Sequence, residues 1–219
     1  MSVITLTTDF GIKDHYVGSV KGALFNELEN VNIVDVSHNI SPFNIVEAAY
    51  IVENSYKNFP EGSIHIIGVD SEKTIEQSHL VIKLDNHFFI CANNGIMSLL
   101  ASKINPEKII EINIHNDKVT TFSVIDVFVK IAAHIYRGGS IDLVGNQIFK
   151  LKELYNLNPI LNEKSNEISG NVIYVDNYDN VVTNISKKTF LPINASISNL
   201  ASWPTHFNFF PPLPITIPF

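Results

Sequence analysis

The chain has 219 residues, with 15 Lys and Arg against 22 Asp and Glu, a formal charge of −7 and 45% hydrophobic residues. It has no Lys/Arg cluster, which excludes the basic stripe that nucleic-acid binding needs, and no run of about 18 apolar residues that would span a membrane. A single cysteine, Cys91, excludes an internal disulfide and a cysteine-based zinc site. The N-terminus carries no basic region followed by a continuous apolar segment, so no signal peptide is expected and the expectation is a cytoplasmic protein.

Apolar runs predict strands at Val3–Thr7, Val31–Val36, Ser63–Val69, His79–Leu84, His87–Ala92 and Lys108–Ile112. Between them helices are predicted at His15–Glu29, Ile45–Asn58, Gly95–Lys103 and Ile125–Tyr136. In the first helix Val17, Val20, Leu24, Phe25 and Leu28 recur at three- and four-residue steps, which predicts one buried face. Asn44 followed three residues later by Glu47 has the form of a capping box. This alternation implies an α/β fold over residues 1–155, a mostly parallel sheet with flanking helices.

A polar stretch, residues 156–169, then reads as a linker. Gly170–Val175 and Val181–Ile185 read as strands joined by Asp176-Asn177-Tyr178-Asp179-Asn180, a turn rich in Asn and Asp, and open a small β domain at 170–219. From Thr189 to Phe219 there is no Asp, Glu, Lys or Arg, and six of the ten prolines fall there. Proline blocks a continuing helix or central strand, so the composition favours a β domain that is truncated or altered.

The first strand runs into Thr7-Thr8-Asp9-Phe10-Gly11, with Asp14, Tyr16, Gly18 and Gly22 just beyond. A strand that ends in a carboxylate and a glycine and feeds a helix is where α/β proteins build ligand sites. Asp9 there suits a ribose, whose two hydroxyls a carboxylate accepts in a fork. Asp9-Phe10-Gly11 shares only letters with the kinase metal triplet, because the Gly-rich loop, strand lysine and catalytic loop are missing. Asp14 falls where a helix N-cap is expected. Asp35 and His38 with Asp9 are metal-ligand types, but no helical His pair supports them; a hydrogen-bonded carboxylate at a strand end is favoured and no metal is expected.

Asp70, after Ile67-Gly68-Val69, is a second carboxylate at a strand end and can face the same crevice as Asp9. It is placed to orient or polarise a water, with turn capping as the competing reading. Asn93-Asn94-Gly95 at the next strand-to-helix turn suits neutral hydrogen bonding to a small ligand, or an ordinary turn. No Gly-x-Gly-x-x-Gly, P-loop or Gly-x-Ser-x-Gly is present, and Cys91 reads as core.

Taken in order, these motifs carry a resemblance. Thr8-Asp9-Phe10-Gly11 with Asp14, Tyr16-Val17-Gly18 and Lys21-Gly22 comes first, then Asp35-Val36-Ser37-His38, Ile40-Ser41-Pro42 and Ala48-Ala49-Tyr50. Gly62-Ser63-Ile64, Val69-Asp70, Asn93-Asn94-Gly95 and Thr121-Phe122 continue the series, and Val175-Asp176, Asn180 and Thr183-Asn184-Ile185 complete it. Over roughly residues 1–186 the chain resembles the S-adenosylmethionine (SAM) hydroxide adenosyltransferase family, relatives of the fluorinase and chlorinase enzymes.

The resemblance implies SAM as substrate and no cofactor, with water or hydroxide attacking ribose C5′ and displacing methionine to leave adenosine. It implies that Asp9 holds the ribose hydroxyls and that Phe43 packs against the nucleoside. Asn94 lines the nucleoside side, and Asp14, Asn93 and Phe122 count among the binding residues by their motifs. Asp176 would meet the methionine ammonium, with Tyr178 and Asn180 near the base. Hydrolases of this family surround the attacking water with Asp, Arg and His. Asp70 matches the first; Gln77 stands at the Arg position and Ser123 at the His position. His79 is the alternative imidazole, against its reading as a surface or edge-strand histidine. The resemblance further implies a homotrimer, with the site between the N-terminal domain of one subunit and the β domain of the next. A non-catalytic SAM or adenosine binder and a halogenase-like enzyme are the alternatives.

Overall fold

The structure, a computed structural model, describes residues 2–101, 104–113, 121–154, 158–162 and 167–186, and the backbone of 214–218. The chain forms two compact units, Met1–Glu153 and Leu154–Phe219.

The first unit runs β1 (Val3–Thr8), α1 (Tyr16–Glu27), β2 (Asn32–Ser37), α2 (Ile45–Ser55), β3 (Ile64–Gly68), β4 (His79–Leu84) and β5 (His87–Ala92). It continues with α3 (Ile96–Leu100), β6 (Lys108–Ile112), α4 (Val129–Tyr136) and β7 (Gly145–Gln147). The strands form one seven-stranded sheet in the order β2-β1-β3-β5-β4-β6-β7. β2, β1, β3 and β5 pair in parallel; β4 is antiparallel to β5 and β6, and β7 is antiparallel to β6. The expected α/β class, a mostly parallel sheet with helices, is what forms.

Alternation of side chains along the strands makes two cores. Ile4, Leu6, Ile64, Ile66, Val81 and Ile90 pack with α1 and α4 on one face. Ile67, Leu80, Ile82, Leu84, Phe89 and Cys91 pack with α2 and α3 on the other. β1, β3, β4 and β5 are covered on both faces and read as nearly unbroken apolar runs. Cys91 is wholly enclosed, and burial pushes its thiol up to about 12.

The differences from expectation have local causes. Phe25 is 58% exposed rather than part of the α1 stripe, because it lies about a quarter turn past Leu24. α2 stops at Ser55 and tightens into a 3₁₀ turn, Tyr56–Asn58, while Asn44 caps its start: the Glu47 N–H donates to Asn44 Oδ1 at 3.1 Å. Of the helix expected at Gly95–Lys103, α3 covers Ile96–Leu100, and residues 102–103 lie outside the described residues. The helix expected at Ile125–Tyr136 begins as a π turn, Val124–Phe128, before α4. Between β4 and β5 the pair Asp85-Asn86 has φ of 53° and 60°, the backbone of a tight primed turn, and makes the two strands a hairpin. β7 was not legible as a strand. Its Gly145 packs so closely on β6 that a Cβ would sit 1.9 Å from the Glu111 carbonyl oxygen.

In the second unit β8 (Ile160–Asn162), β10 (Val181–Thr183) and β11 (Pro214–Pro218) each pair antiparallel with β9 (Glu167–Val175). β8 and the start of β9 therefore occupy part of the stretch expected as linker, since 160–162 and 167–169 are each other's ladder partners. β11 lies within the uncharged tail, with prolines at its two ends. Residues 187–213 lie outside the described residues.

A buried polar chain crosses the first unit at the N-terminal ends of its parallel strands. Thr5 Oγ1 lies 2.7 Å from His65 Nδ1, and His65 Nε2 lies 3.1 Å from His87 Nδ1. Phe89 stacks on His65, while Tyr56 and Phe59 meet it edge-on. Burial, with the neighbouring His87, pushes His65 down to about 3, and burial also lowers His87 against the pull of Asp85 and Glu61. His65 is therefore neutral in the folded protein and becomes protonated on unfolding below the ordinary value of 6.5, and the lowered His87 acts in the same direction. Stability falls as pH drops from about 6.5 toward 3, by about 1.4 kcal/mol per pH unit for His65 alone. Urea unfolding at a series of pH values tests this: His65→Gln should flatten the slope, and an unchanged slope would contradict the assignment.

Candidate active site

Strand order dictates where a ligand can sit. β1 has β2 on one side and β3 on the other, reached through α1 on one face of the sheet and α2 on the opposite face. The crevice of a doubly wound sheet opens where the crossovers diverge, here beyond the C-terminal ends of β1 and β3. Asp9 follows β1 and Asp70 lies two residues after β3, whose Gly68 pairs with Thr8. The two carboxylates expected to share a crevice thus leave adjacent strands.

Asp9 is tied down by main chain. Its Oδ2 accepts the Phe43 N–H at 2.9 Å, and the Asp70 N–H lies near enough to its carboxylate to favour the charged form. Burial nevertheless raises its pKa; the backbone N–H groups of Phe43, Asp70 and Asp9 itself oppose the rise and the charge of Asp70 adds to it. Phe43 has a left-handed backbone, φ 62°, and its ring is 62% exposed, a free apolar face beside Asp9. The Gly11 N–H donates to the His38 carbonyl at 2.7 Å and closes the Asp9 loop against the end of β2.

Below this loop Phe10, Tyr16 and Phe122 pack as a triangle, with ring centroids 5.3 Å (Phe10–Phe122), 5.5 Å (Tyr16–Phe122) and 5.9 Å (Phe10–Tyr16) apart. Gly68 allows it: a Cβ there would stand 3.1 Å from both Phe10 Cζ and Val124 Cγ2. Ser123 is buried at the start of the π turn. Asp14 is exposed and does not cap α1, which follows His15 without a side-chain cap. Six residues after the end of β1, it falls one position before the N-cap His15.

The residues around Asp70 face inward. Asp70 has φ 44°, a left-handed conformation that Asp tolerates better than most residues. Asn94 Nδ2 donates to the Val69 and Asp70 carbonyls at 3.1 and 3.3 Å, and its Oδ1 accepts the Ile96 N–H. Gln77 Nε2 donates to the Asp70 and Glu72 carbonyls at 2.7 and 3.0 Å. His79 Nε2 lies 3.0 Å from the Ser71 carbonyl, and its ring stands edge-on to Phe128. His79 is 1% exposed, so its reading as a surface histidine is corrected; burial lowers its pKa. Gln77, His79 and Asn94 turn these groups to main-chain carbonyls. Asn93 accepts the Lys152 N–H at 3.0 Å.

A second chain of contacts lies behind Asp9, unforeseen because its members are far apart in sequence. Thr8 Oγ1 is 2.8 Å from His38 Nδ1, His38 Nε2 is 3.1 Å from Asp35 Oδ1, and Asp35 Oδ2 is 2.5 Å from Lys21 Nζ. The His38–Asp35 contact is at ion-pair distance, and among the described residues His38 Nε2 makes no hydrogen bond. Despite partial burial, Lys21 and His38 hold the Asp35 carboxyl below the usual range. Asp35 is thus a paired carboxylate at a strand end, as favoured above. Among the described residues no group of three or more His, Cys, Asp or Glu is arranged to hold a metal.

In the second unit Asp176 organises its own turn. Its Oδ1 accepts the N–H groups of Tyr178 and Asn180 at 2.8 and 2.9 Å, and its Oδ2 accepts Asn180 Nδ2 at 2.8 Å. These bonds, led by the Asn180 side chain, lower its pKa. Tyr178 projects with 85% of its surface exposed.

Two carboxylates and an exposed aromatic residue lie where the strand order reverses, the position at which doubly wound α/β folds take small ligands. Residues 4–145 match the model of the SAM hydroxide adenosyltransferase N-terminal domain, and the chain belongs to this family. An (R)-S-adenosyl-L-methionine hydrolase from Methanocaldococcus jannaschii is 31% identical over 193 residues, spanning 85% of this chain and 68% of the relative. A fluorinase from Actinopolyspora mzabensis is 32% identical over only 62 residues, 28% of this chain and 21% of its own. An uncharacterised conserved protein from Thermotoga maritima has a similar structure, with a TM-score of 0.77 and 27% identity over 89% of this chain and 75% of that one.

Thr8 and His38 are buried partners, so His38→Ala should leave the Thr8 hydroxyl without its bond and open a void beside β1. We expect a loss of about 1–3 kcal/mol in urea unfolding. An unchanged midpoint would show that the contact carries no stability.

Proposed function

We propose that this protein hydrolyses (R)-S-adenosyl-L-methionine to adenosine and L-methionine. The observation that carries the reading is the pair Asp9 and Asp70 on adjacent strand ends at the sheet's crevice, in a chain of this family. The substrate is taken from the name of the M. jannaschii relative. Its sulfonium is already a good leaving group, so positioning and exclusion of water contribute more than acid catalysis, and no cofactor enters the reaction.

Asp9 accepts the ribose 2′ and 3′ hydroxyls through the lone pairs that the Phe43 and Asp70 N–H groups leave free. Phe43 covers the nucleoside with its exposed ring. Phe122, with Phe10 and Tyr16, supplies an apolar wall. Asp70 orients the water and takes its proton while the oxygen lone pair forms the C5′–O bond. The C5′–S bond breaks with its electron pair going to sulfur, which leaves neutral methionine. Ser123 and Asn93 are secondary candidates near this site, and Asp14 is the weakest because it is exposed. Asp176 meets the methionine ammonium, with Tyr178 and Asn180 near the base. That assignment, and a homotrimer in which the β unit of a neighbouring copy completes the site, rest on the family resemblance. The single cysteine is buried and calls for no oxidising compartment, and the reading places the protein in the cytoplasm.

The test is chromatography of the purified protein incubated with (R)-SAM, with and without chloride. Adenosine and methionine in equal amounts, independent of chloride, are expected; a halogenated nucleoside would assign halide as nucleophile. Binding of SAM without products would identify a non-catalytic binder, a reading that Gln77 and Ser123 at the family's Arg and His positions keep in view. Asp9→Ala should weaken binding by about 1.5–3 kcal/mol per charge-assisted bond lost, and Asp70→Asn should abolish turnover while leaving SAM affinity within a fewfold. Light scattering of the eluted protein reports the trimer.

A further inference from the structure

The loop after β3 is held in a way that the reaction alone does not require. Four consecutive carbonyls, those of Val69, Asp70, Ser71 and Glu72, accept side-chain donors from three residues lying 24 to 25 positions or 5 to 8 positions further along the chain. Asn94 reaches in from the end of β5, His79 from the start of β4, and Gln77 from the loop between β3 and β4. All three are buried, at 4%, 1% and 8% exposure. Peptide geometry gives the arrangement its consequence. In a trans peptide the carbonyl and the next N–H point in opposite directions. Asn94 holds the Val69 carbonyl on one side, so the N–H of the same peptide, that of Asp70, points to the opposite side, and its nearness to the Asp9 carboxylate favours the charged form there. Gln77 and Asn94 then grip the Asp70 carbonyl, so that both peptides flanking the Asp70 Cα are fixed and its left-handed φ of 44° is set.

We infer that Gln77, Asn94 and His79 form a carbonyl clamp that positions Asp70 and orients its N–H onto Asp9, so that Gln77 is a positioning residue for the reaction. The inference rests on the proposed SAM cleavage for its kinetic consequences and on main-chain geometry for the rest. Gln77 acts through main chain and touches no reacting atom. Without its donor, the Asp70 carbonyl is left to Asn94 alone at the longer distance of 3.3 Å, and the carboxylate loses its fixed direction. Small displacements of a reacting group cost rate far more than affinity.

The experiment compares Gln77→Leu, Gln77→Glu and Gln77→Asn with the wild type in SAM cleavage, alongside thermal unfolding. Gln77→Leu should lower kcat about ten- to a hundredfold with KM changed less than about threefold. Gln77→Glu keeps the length of the side chain and carries the test if Gln77→Leu does not fold. Its ionised carboxylate cannot donate to the carbonyls, whereas its protonated form can, so its kcat relative to wild type should rise as pH is lowered. The surrounding charged and titratable groups, Asp9 after β1, Asp70, Glu72, Lys73 and Glu76 in the loop and His79 on β4, are common to both proteins, so the ratio isolates position 77. Gln77→Asn, one carbon shorter, should behave as Gln77→Leu. Wild-type kcat in Gln77→Leu, or a pH-independent ratio for Gln77→Glu, overturns the inference. If the wild type does not cleave SAM, the functional reading fails, and the clamp is then decided by carboxyl NMR of Asp9. A higher Asp9 pKa in Asn94→Leu and Gln77→Leu supports it, because the Asp70 N–H has swung away, and an unmoved one overturns it.

Discussion

The peptide joining Val69 to Asp70 has a carbonyl held from one side by Asn94 and an N–H on the other side, near the Asp9 carboxylate. That plane adds a link between two chain segments already joined by the β1–β3 ladder. Rotating it would remove a donor from Asp9, whose burial already favours the neutral acid, and would swing the Asp70 side chain. In the proposed reaction the ribose grip and the water grip are therefore not independent parts. They share one rigid group of atoms, and the rest of the crevice is arranged to keep that group still.

The sheet explains why polar chains are gathered at its ends. Its middle is covered on both faces by apolar side chains from α1 and α4 or from α2 and α3, and a hydroxyl or imidazole there must find its partner within the protein. At the N-terminal ends of the parallel strands the partners are Thr5, His65 and His87; at the C-terminal ends they are Thr8, His38 and Asp35. The first chain is enclosed by aromatic rings and holds neutral groups. The second runs outward to Lys21 and the solvent, so it tolerates charge. One end of the sheet is thus closed and the other remains available for chemistry.

Much of this was legible in the sequence because it follows from local pattern. β4, β5 and β6 have the boundaries their apolar runs predict, and Asn44 and Glu47 announce the start of α2. Asp9 and Asp70 stand out as acids ending apolar strands, and parallel pairing places them together. What escaped depends on partners distant in sequence. Nothing near Gln77 or His79 indicates that each turns to the loop behind it, and nothing near Thr8 indicates His38, thirty residues away. The hairpin turn at Asp85-Asn86 lacks the glycine that usually marks it, and β7 is too short to show a period. Asn156–Ser169 is polar enough to pass for a linker because β8 is exposed and brings no apolar alternation of its own.

Cys91 lies in β5 between its neighbours β3 and β4, sealed from solvent and held as the neutral thiol. A disulfide dye or an alkylating agent needs the thiolate, and in the native sheet it meets neither the ion nor a path to it. Labelling must wait for β5 to come free of its neighbours. The chain therefore carries a built-in clock for opening of its central strand, readable by mass at a single sulfur without an introduced probe.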